Sequence, residues 1–277
     1  MDPQYDSLNQ KTSFYYPLLL LPAQKRRAME ALYRFCWAAD EIADSPAPLA
    51  EKKQKLVQFK KALRDCFKGK ARTPLFRNLC ETIRFFQMTP QPLFRILQGQ
   101  EQDLRPVRFK TFHELKAYSL KVAGGPGLAS MEIFGFKDAP HRDYAENLGV
   151  FLQIVNIMRD FREDMGLGRQ YLPAEDFMRF HLNPAHITEG HSHWKPFVEF
   201  QLLRAWDFLD QSRKSLSLKQ RSKLVTAEAI AAVYLKLHQK LRNYPDRILK
   251  SRVSLSKADK MLSVMGTVGR CFLWKMK

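Results

Sequence analysis

Apolar side chains return every three to four residues along almost all of this chain, and no long stretch alternates with the two-residue period of a strand. That rhythm predicts helices over Ala23–Ala43, Leu49–Phe67, Pro74–Gln87, Pro90–Asp103, Phe112–Phe134, Asp143–Glu163, Lys195–Leu216, Thr226–Arg242 and Lys257–Leu273. Pro22, Pro74, Pro90 and Pro92 fall at or near helix starts, where a missing amide hydrogen costs little. Short breaks at "DSPAP", "KGKART", "GFKDAPH" and "NPAHITEGHSHWKP" divide the pattern. Neither a GxGxxG nor a GxxxxGK[ST] motif occurs, so a nucleotide-binding α/β domain is not expected. The fold class is therefore all-α. No internal boundary is visible, so residues 1–277 form one expected domain, with residues 1–11 expected to be flexible.

Two acidic pairs interrupt otherwise apolar helices. In "CWAADEIAD", Asp40 and Asp44 stand at i and i+4, roughly 40° apart around a helix, with Glu41 beside them. In "LQIVNIMRDFREDMGLGRQYLP", Asp160 and Asp164 repeat the spacing, and Gln153 and Asn156 extend the same polar stripe upstream. Phe151, Ile154, Val155, Ile157 and Met158 take the other face. Like charges one turn apart destabilise a helix, so a cation, water or basic side chains must compensate. A single such pair is most simply a solvated face. Two of them on two apolar helices suggest carboxylates facing across a shared cavity, a donor set that suits Mg²⁺ completed by water and substrate phosphates.

Charge points the same way. Lys and Arg number 46 against 28 Asp and Glu, a net +18 that favours polyanions: nucleic acid, anionic membrane or diphosphate substrates. Nucleic acid is not an expected partner, because no helix-turn-helix, RNP or zinc-finger pattern occurs. Cys36, Cys66, Cys80 and Cys271 lack CxxC spacing and read as free thiols of a reducing compartment. The polar opening "MDPQYDSLNQKTSFYY" does not resemble a secretory signal, and "YYPLLLLP" is too short to span a bilayer. The expected location is cytoplasmic. In "EKKQKLVQFKKALRDCFKGKAR", lysines face away from Leu56, Val57, Phe59 and Leu63, an amphipathic pattern that can lie on anionic lipid but is commoner in a core-packing helix. "KADKMLSVMGTVGRCFLWKMK", with Trp274 and flanking lysines, fits either packing against the body or a peripheral contact with the inner face of a membrane. His191 and His193 form an HxH without a partner at zinc-ligand spacing.

"SFYYPLLLLPAQKRRAMEALYRFCWAADEIAD", "YSLKVAGGPGLASMEIFG" and "NIMRDFREDMGLGRQYLP" together resemble the squalene and phytoene synthase family, from Thr12 to about Lys260. The opening and the "GRQYLP" close are most similar to its bacterial presqualene diphosphate synthases of hopanoid biosynthesis. The resemblance implies an isoprenoid synthase fold with helices around a central cavity. It also implies head-to-head condensation of two farnesyl diphosphates to presqualene diphosphate, with pyrophosphate released. Asp40, Asp44, Asp160 and Asp164 would hold two or three Mg²⁺ ions with the diphosphates. Tyr118, Arg159, Tyr171 and Tyr234 match catalytic positions, and Ser13, Phe14, Gln153, Asn156, Arg169 and Arg252 match substrate-binding ones. Trp37 departs from the family, which has Arg there; Lys25, Arg26, Arg27 or Arg34 is expected to replace that contact. Pro126 within "GGPG" is a second departure, next to an expected helix break at Gly124, Gly125 and Gly127. NADPH, needed only for reduction to squalene, is not expected, and downstream isoprenoid-pathway enzymes are the protein partners implied. Alternatives are a squalene or dehydrosqualene synthase, a phytoene synthase acting on geranylgeranyl diphosphate, and a non-catalytic relative. The last would show lost motif aspartates, and all four are present.

Overall fold

A computed structural model describes residues 14–276; Ser13 and the expected flexible segment 1–11 lie outside the described residues. The helices run α1 (Tyr15–Leu18), α2 (Ala23–Asp44), α3 (Leu49–Phe67), α4 (Pro74–Phe86), α5 (Pro90–Asp103), α6 (Phe112–Ser119), α7 (Gly125–Phe134) and α8 (Ala139–Gly166). They continue as α9 (Ala174–Arg179), α10 (Trp194–Lys214), α11 (Leu218–Arg221), α12 (Val225–Asn243), α13 (Arg247–Lys250) and α14 (Lys257–Met276). Among the described residues, β-type pairing is confined to one isolated bridge between Arg108 and Gln170. The all-α expectation holds. Pro74 and Pro90 open α4 and α5, and Thr73 caps α4 by accepting the amide of Phe76 at 3.4 Å.

α8 runs through the middle, packed on α7, α10, α12 and α13, while α2 lies across α4, α5 and α7. The α8 face assigned as apolar is buried throughout: Phe151, Ile154, Val155 and Met158 are fully enclosed, and Ile157 nearly so. On α3, Leu56 and Leu63 are buried as expected, but Val57 is 62% exposed. It sits about 100° from Leu56 around the helix, beyond the reach of the core.

The expected helix Phe112–Phe134 is not broken at its glycines. It passes from α6 to α7 through a π-helical turn, Leu120–Gly124, with Pro126 in the first turn of α7, where its missing amide is harmless. The glycines admit neighbouring backbone instead. A Cβ on Gly125 would lie 3.1 Å from the Pro92 carbonyl oxygen, and one on Gly149 of α8 would lie 2.8 Å from the Gly124 nitrogen. Both contacts are with backbone, which cannot rotate away. Gly149→Ala should therefore cost about 1–3 kcal/mol, as overpacked interiors do. Thermal unfolding checks this, and an unchanged midpoint would show that the π-turn yields freely.

Candidate active site

A cavity of about 480 Å³ lies between α2, α5, the π-turn, α7, α8 and α12. Its deep wall is apolar, lined by Phe14, Leu18, Met29, Leu32, Phe134, Leu148 and Ile230 among others. Its mouth is polar: Asp40 and Asp44 from α2 and Asp160 and Asp164 from α8 border the same space, with Gln153 and Asn156 on the α8 wall. Phe14, Tyr118, Arg159, Arg169 and Tyr171 line it too. Tyr234 and Arg252 do not. Tyr234 is buried behind Arg159, its ring 6.0 Å from that of Phe14, and Arg252 reaches the site by donating from Nε to Asp160 Oδ1 at 2.8 Å.

The two members of each aspartate pair meet different surroundings. Asp44 accepts from Arg169 at 2.5 Å, and Asp160 accepts from Arg159 as well as Arg252. Among the described residues Asp40 and Asp164 form no ion pair. Burial, then repulsion from Asp44 and Asp103, pushes the Asp40 carboxyl up to about 7, although Gln100 donates to its Oδ1. Burial, then repulsion from Asp160, pushes Asp164 up to about 7. Asp40 is enclosed by protein yet open to the cavity space, so water or ions entering the cavity temper that cost.

Arg169 and Tyr171 owe their places to the end of α8. Gly168 takes the left-handed conformation, φ +72°, turning the chain back. Gln170 then donates its amide to Val107 at 2.8 Å and anchors the segment beside the loop after α5. There Tyr118 and Tyr171 both donate to Asp103, at 2.8 and 3.1 Å, with their rings stacked 5.4 Å apart. Burial, then the Asp103 charge, raises both phenols, which keeps them protonated donors.

The pattern shared by squalene/phytoene synthases matches residues 8–259. The chain belongs to this family. One relative, the 15-cis-phytoene synthase of Synechocystis sp., is 31% identical over 223 residues, covering 76% of this chain and 66% of that protein. The chain spans about two thirds of the length of the first such relatives it matches. Among solved structures, squalene synthase HpnC from Alicyclobacillus acidocaldarius superposes with a TM-score of 0.76 at 23% identity, covering 87% of this chain and 91% of that one. A dehydrosqualene synthase in complex with ligand gives 0.78 at 24%, covering 93% and 90%. These likenesses establish the isoprenoid synthase fold.

Against the family pattern, Trp37 is half-buried and outside the cavity lining, and none of Lys25, Arg26, Arg27 or Arg34 lines the cavity either. Lys25 is turned to the carbonyl of Phe134 at 2.8 Å. The replacement expected from those four is not found; Arg169, already at Asp44, is the cation on that side. Three further residues belong with the site and were not singled out from sequence. Gln100 and Asp103 carry polarity into the apolar stripe of α5 at i and i+3, a signal comparable to the aspartate pairs. Lys260 of α14 is buried, and its pKa is lowered by burial and then by Arg159 and Arg252, which groups three cations behind Asp160.

The donor set fits a divalent metal. Four carboxylates border one space, two of them in no ion pair among the described residues, and the buried Asn156 Oδ1 has no hydrogen-bond partner. Among the described residues no three His, Cys, Asp or Glu side chains converge as a ready cage. Any bound ion must complete its shell with water and substrate oxygens, the habit of Mg²⁺. His191 and His193 lie on an exposed loop away from the cavity.

Proposed function

We propose that this protein is a prenyl transferase condensing two farnesyl diphosphates head to head into presqualene diphosphate, with Mg²⁺ as cofactor. What supports this best is the cavity itself: aspartate pairs from α2 and α8 at a polar mouth, above a wall of hydrocarbon. Asp40, Asp44, Asp160 and Asp164 would hold two or three ions, and Asn156 adds an oxygen beside them. Bound there, Mg²⁺ supplies Lewis-acid neutralisation of the leaving diphosphate.

The side chains do the remaining work. Arg159, Arg169 and Arg252 present planar guanidinium groups that suit diphosphate oxygens, with Gln153 alongside; Lys260 adds a point charge. The donor's carbon–oxygen bond breaks, and pyrophosphate leaves with the electron pair. The second molecule's double bond attacks the allylic cation, and loss of one proton closes the cyclopropane. The apolar wall, from Phe14 and Leu18 to Ile230, keeps water from quenching the cation. Tyr118 and Tyr171, fixed through Asp103, add aromatic surface and dipoles near it. Tyr234 positions Arg159 from behind. A peripheral membrane contact goes with this function, since the prenyl chains are poorly soluble in water.

A second substrate is favoured by one observation: relatives such as the Synechocystis protein are named as phytoene synthases. That points to geranylgeranyl diphosphate. Purified protein incubated with Mg²⁺ and either diphosphate, with and without NADPH, decides by mass spectrometry. A thirty-carbon diphosphate from farnesyl diphosphate, indifferent to NADPH, is the expected product. A forty-carbon hydrocarbon would replace the farnesyl assignment, and no consumption of either substrate would overturn the enzyme assignment.

A further inference from the structure

Seven of the sixteen exposed large hydrophobic residues among those described lie on α14: Met261, Leu262, Met265, Val268, Phe272, Leu273 and Met276. The others are scattered in ones and twos, as on any soluble surface. At 100° per residue the seven fall within an arc of about 140° on one side of the helix. Leu262, Phe272 and Met276 are 67%, 64% and 74% exposed. The adjoining arc, with Val264, Thr267 and Cys271, is buried against the body, where Val264 meets Ala229 and Val233 of α12. α14 therefore has two apolar faces, and only one is covered. Continuous exposed stripes of this kind mark contact surfaces.

We infer that the open face of α14 docks in the plane of an anionic lipid bilayer. Charge selects that occupant. Asp259 is the one acid of α14, set against Arg270 and Lys275 at its far end. α11 and the short 3₁₀ turn that follows it, Ser222–Leu224, pack on α14 and bring Lys219 and Lys223, both exposed, with no acid of their own. Trp274 lies on the opposite side of the helix, where the Arg221 guanidinium stands 4.6 Å from its ring and holds α14 to the body. A second copy of this chain would set these cations against their own kind, on a protein already at +18. No described helix is long and apolar enough to cross a membrane, so α14 lies on the bilayer rather than through it. Behind it, α12 contributes Ala227 and Ile230 to the cavity wall, which leaves a single helix layer between the docked surface and the hydrocarbon end of the site. The docking rests on this surface alone; its use in handing prenyl chains to lipid rests on the function proposed above.

The test is flotation of the full chain with vesicles of phosphatidylcholine, alone or mixed with phosphatidylglycerol, at low and high salt. The parent should float with the anionic vesicles and weaken with salt. Leu262→Glu with Phe272→Glu should abolish flotation without moving the melting temperature, because both side chains are exposed. Lys219→Glu with Lys223→Glu should weaken it by about tenfold or more. Phe85→Glu, a similarly exposed site on α4, should change nothing. Failure of the parent to float, or undiminished flotation of the α14 variant, overturns the inference. A dimer seen by light scattering and dissolved by the α14 substitutions would do so as well. No substrate is present, so a negative result here is distinct from a failure of the proposed chemistry.

Discussion

Asp40→Asn and Asp164→Asn should each lower product formation by about 10²–10³-fold, the scale on which loss of one fixed electrostatic contact to a developing charge is felt. The same substitutions should raise the melting temperature in Mg²⁺-free buffer. Each removes a carboxylate that burial and a neighbouring aspartate disfavour, and each keeps its shape; at Asp40 the amide also keeps an acceptor for Gln100. Their pair-mates should behave oppositely. Asp44 and Asp160 satisfy Arg169, Arg159 and Arg252, so Asp44→Asn or Asp160→Asn leaves guanidinium groups without their counter-charge and should lower the melting temperature. Added Mg²⁺ should stabilise the parent, since a ligand that binds only the folded state shifts unfolding by mass action. It should stabilise the Asp40→Asn and Asp164→Asn proteins less. Product yield by mass spectrometry and thermal melts with and without Mg²⁺ check both halves. Melting shifts of the same sign within each pair would sink the division into paired and unpaired aspartates.

That division could not be read from sequence, although the aspartates could. A helical period and an i,i+4 repeat are local, so Asp40 and Asp44 appear on one face as soon as α2 is drawn. Which cation meets which acid is not local: Arg169 reaches Asp44 across 125 positions, and Arg252 reaches Asp160 from beyond α13. The long helices were legible because nearly all bury one continuous stripe; α1, α9, α11 and α13 were not, being too short to carry a period. The π-turn was not, since "LKVAGGPG" reads as a break by composition and becomes a continuous helix only when α5 and α8 press on its glycines. Asp103 and Gln100 were within reach, two polar residues on an apolar stripe, but they lack the doubled spacing that made the motifs stand out. Lys260 was beyond reach, being one lysine among many until α14 folds back beside Arg159 and Arg252. Tyr234, matched to the family as catalytic, stands one residue back from the cavity, and from there it acts on Arg159.

Glu228→Gln should destabilise the fold by about 3–5 kcal/mol, the range for breaking a buried ion pair by removing one partner. Glu228 is a buried acid near a tyrosine, the profile of a catalytic residue, yet it does not line the cavity. Arg221 donates to both of its oxygens at 2.8 Å, and Tyr144 of α8 donates to Oε1 at 2.8 Å. Arg213, half-buried with its Nε lacking a partner, draws on the same negative charge. One carboxylate thus serves two guanidinium groups and ties α12 to α8 and, through Arg221 and Trp274, to α14. The amide that replaces the carboxylate in Glu228→Gln could still accept from Tyr144 but would leave two enclosed cations uncompensated. At about 2 °C per kcal/mol for a chain of this length, the melting temperature should fall by roughly 6–10 °C. Adding Arg221→Met should recover part of that loss, because an apolar side chain needs no counter-charge. Recovery in the double variant marks the pair as structural. A Glu228→Gln protein with a parental melting temperature but no turnover would instead make this acid part of the chemistry, acting from outside the cavity.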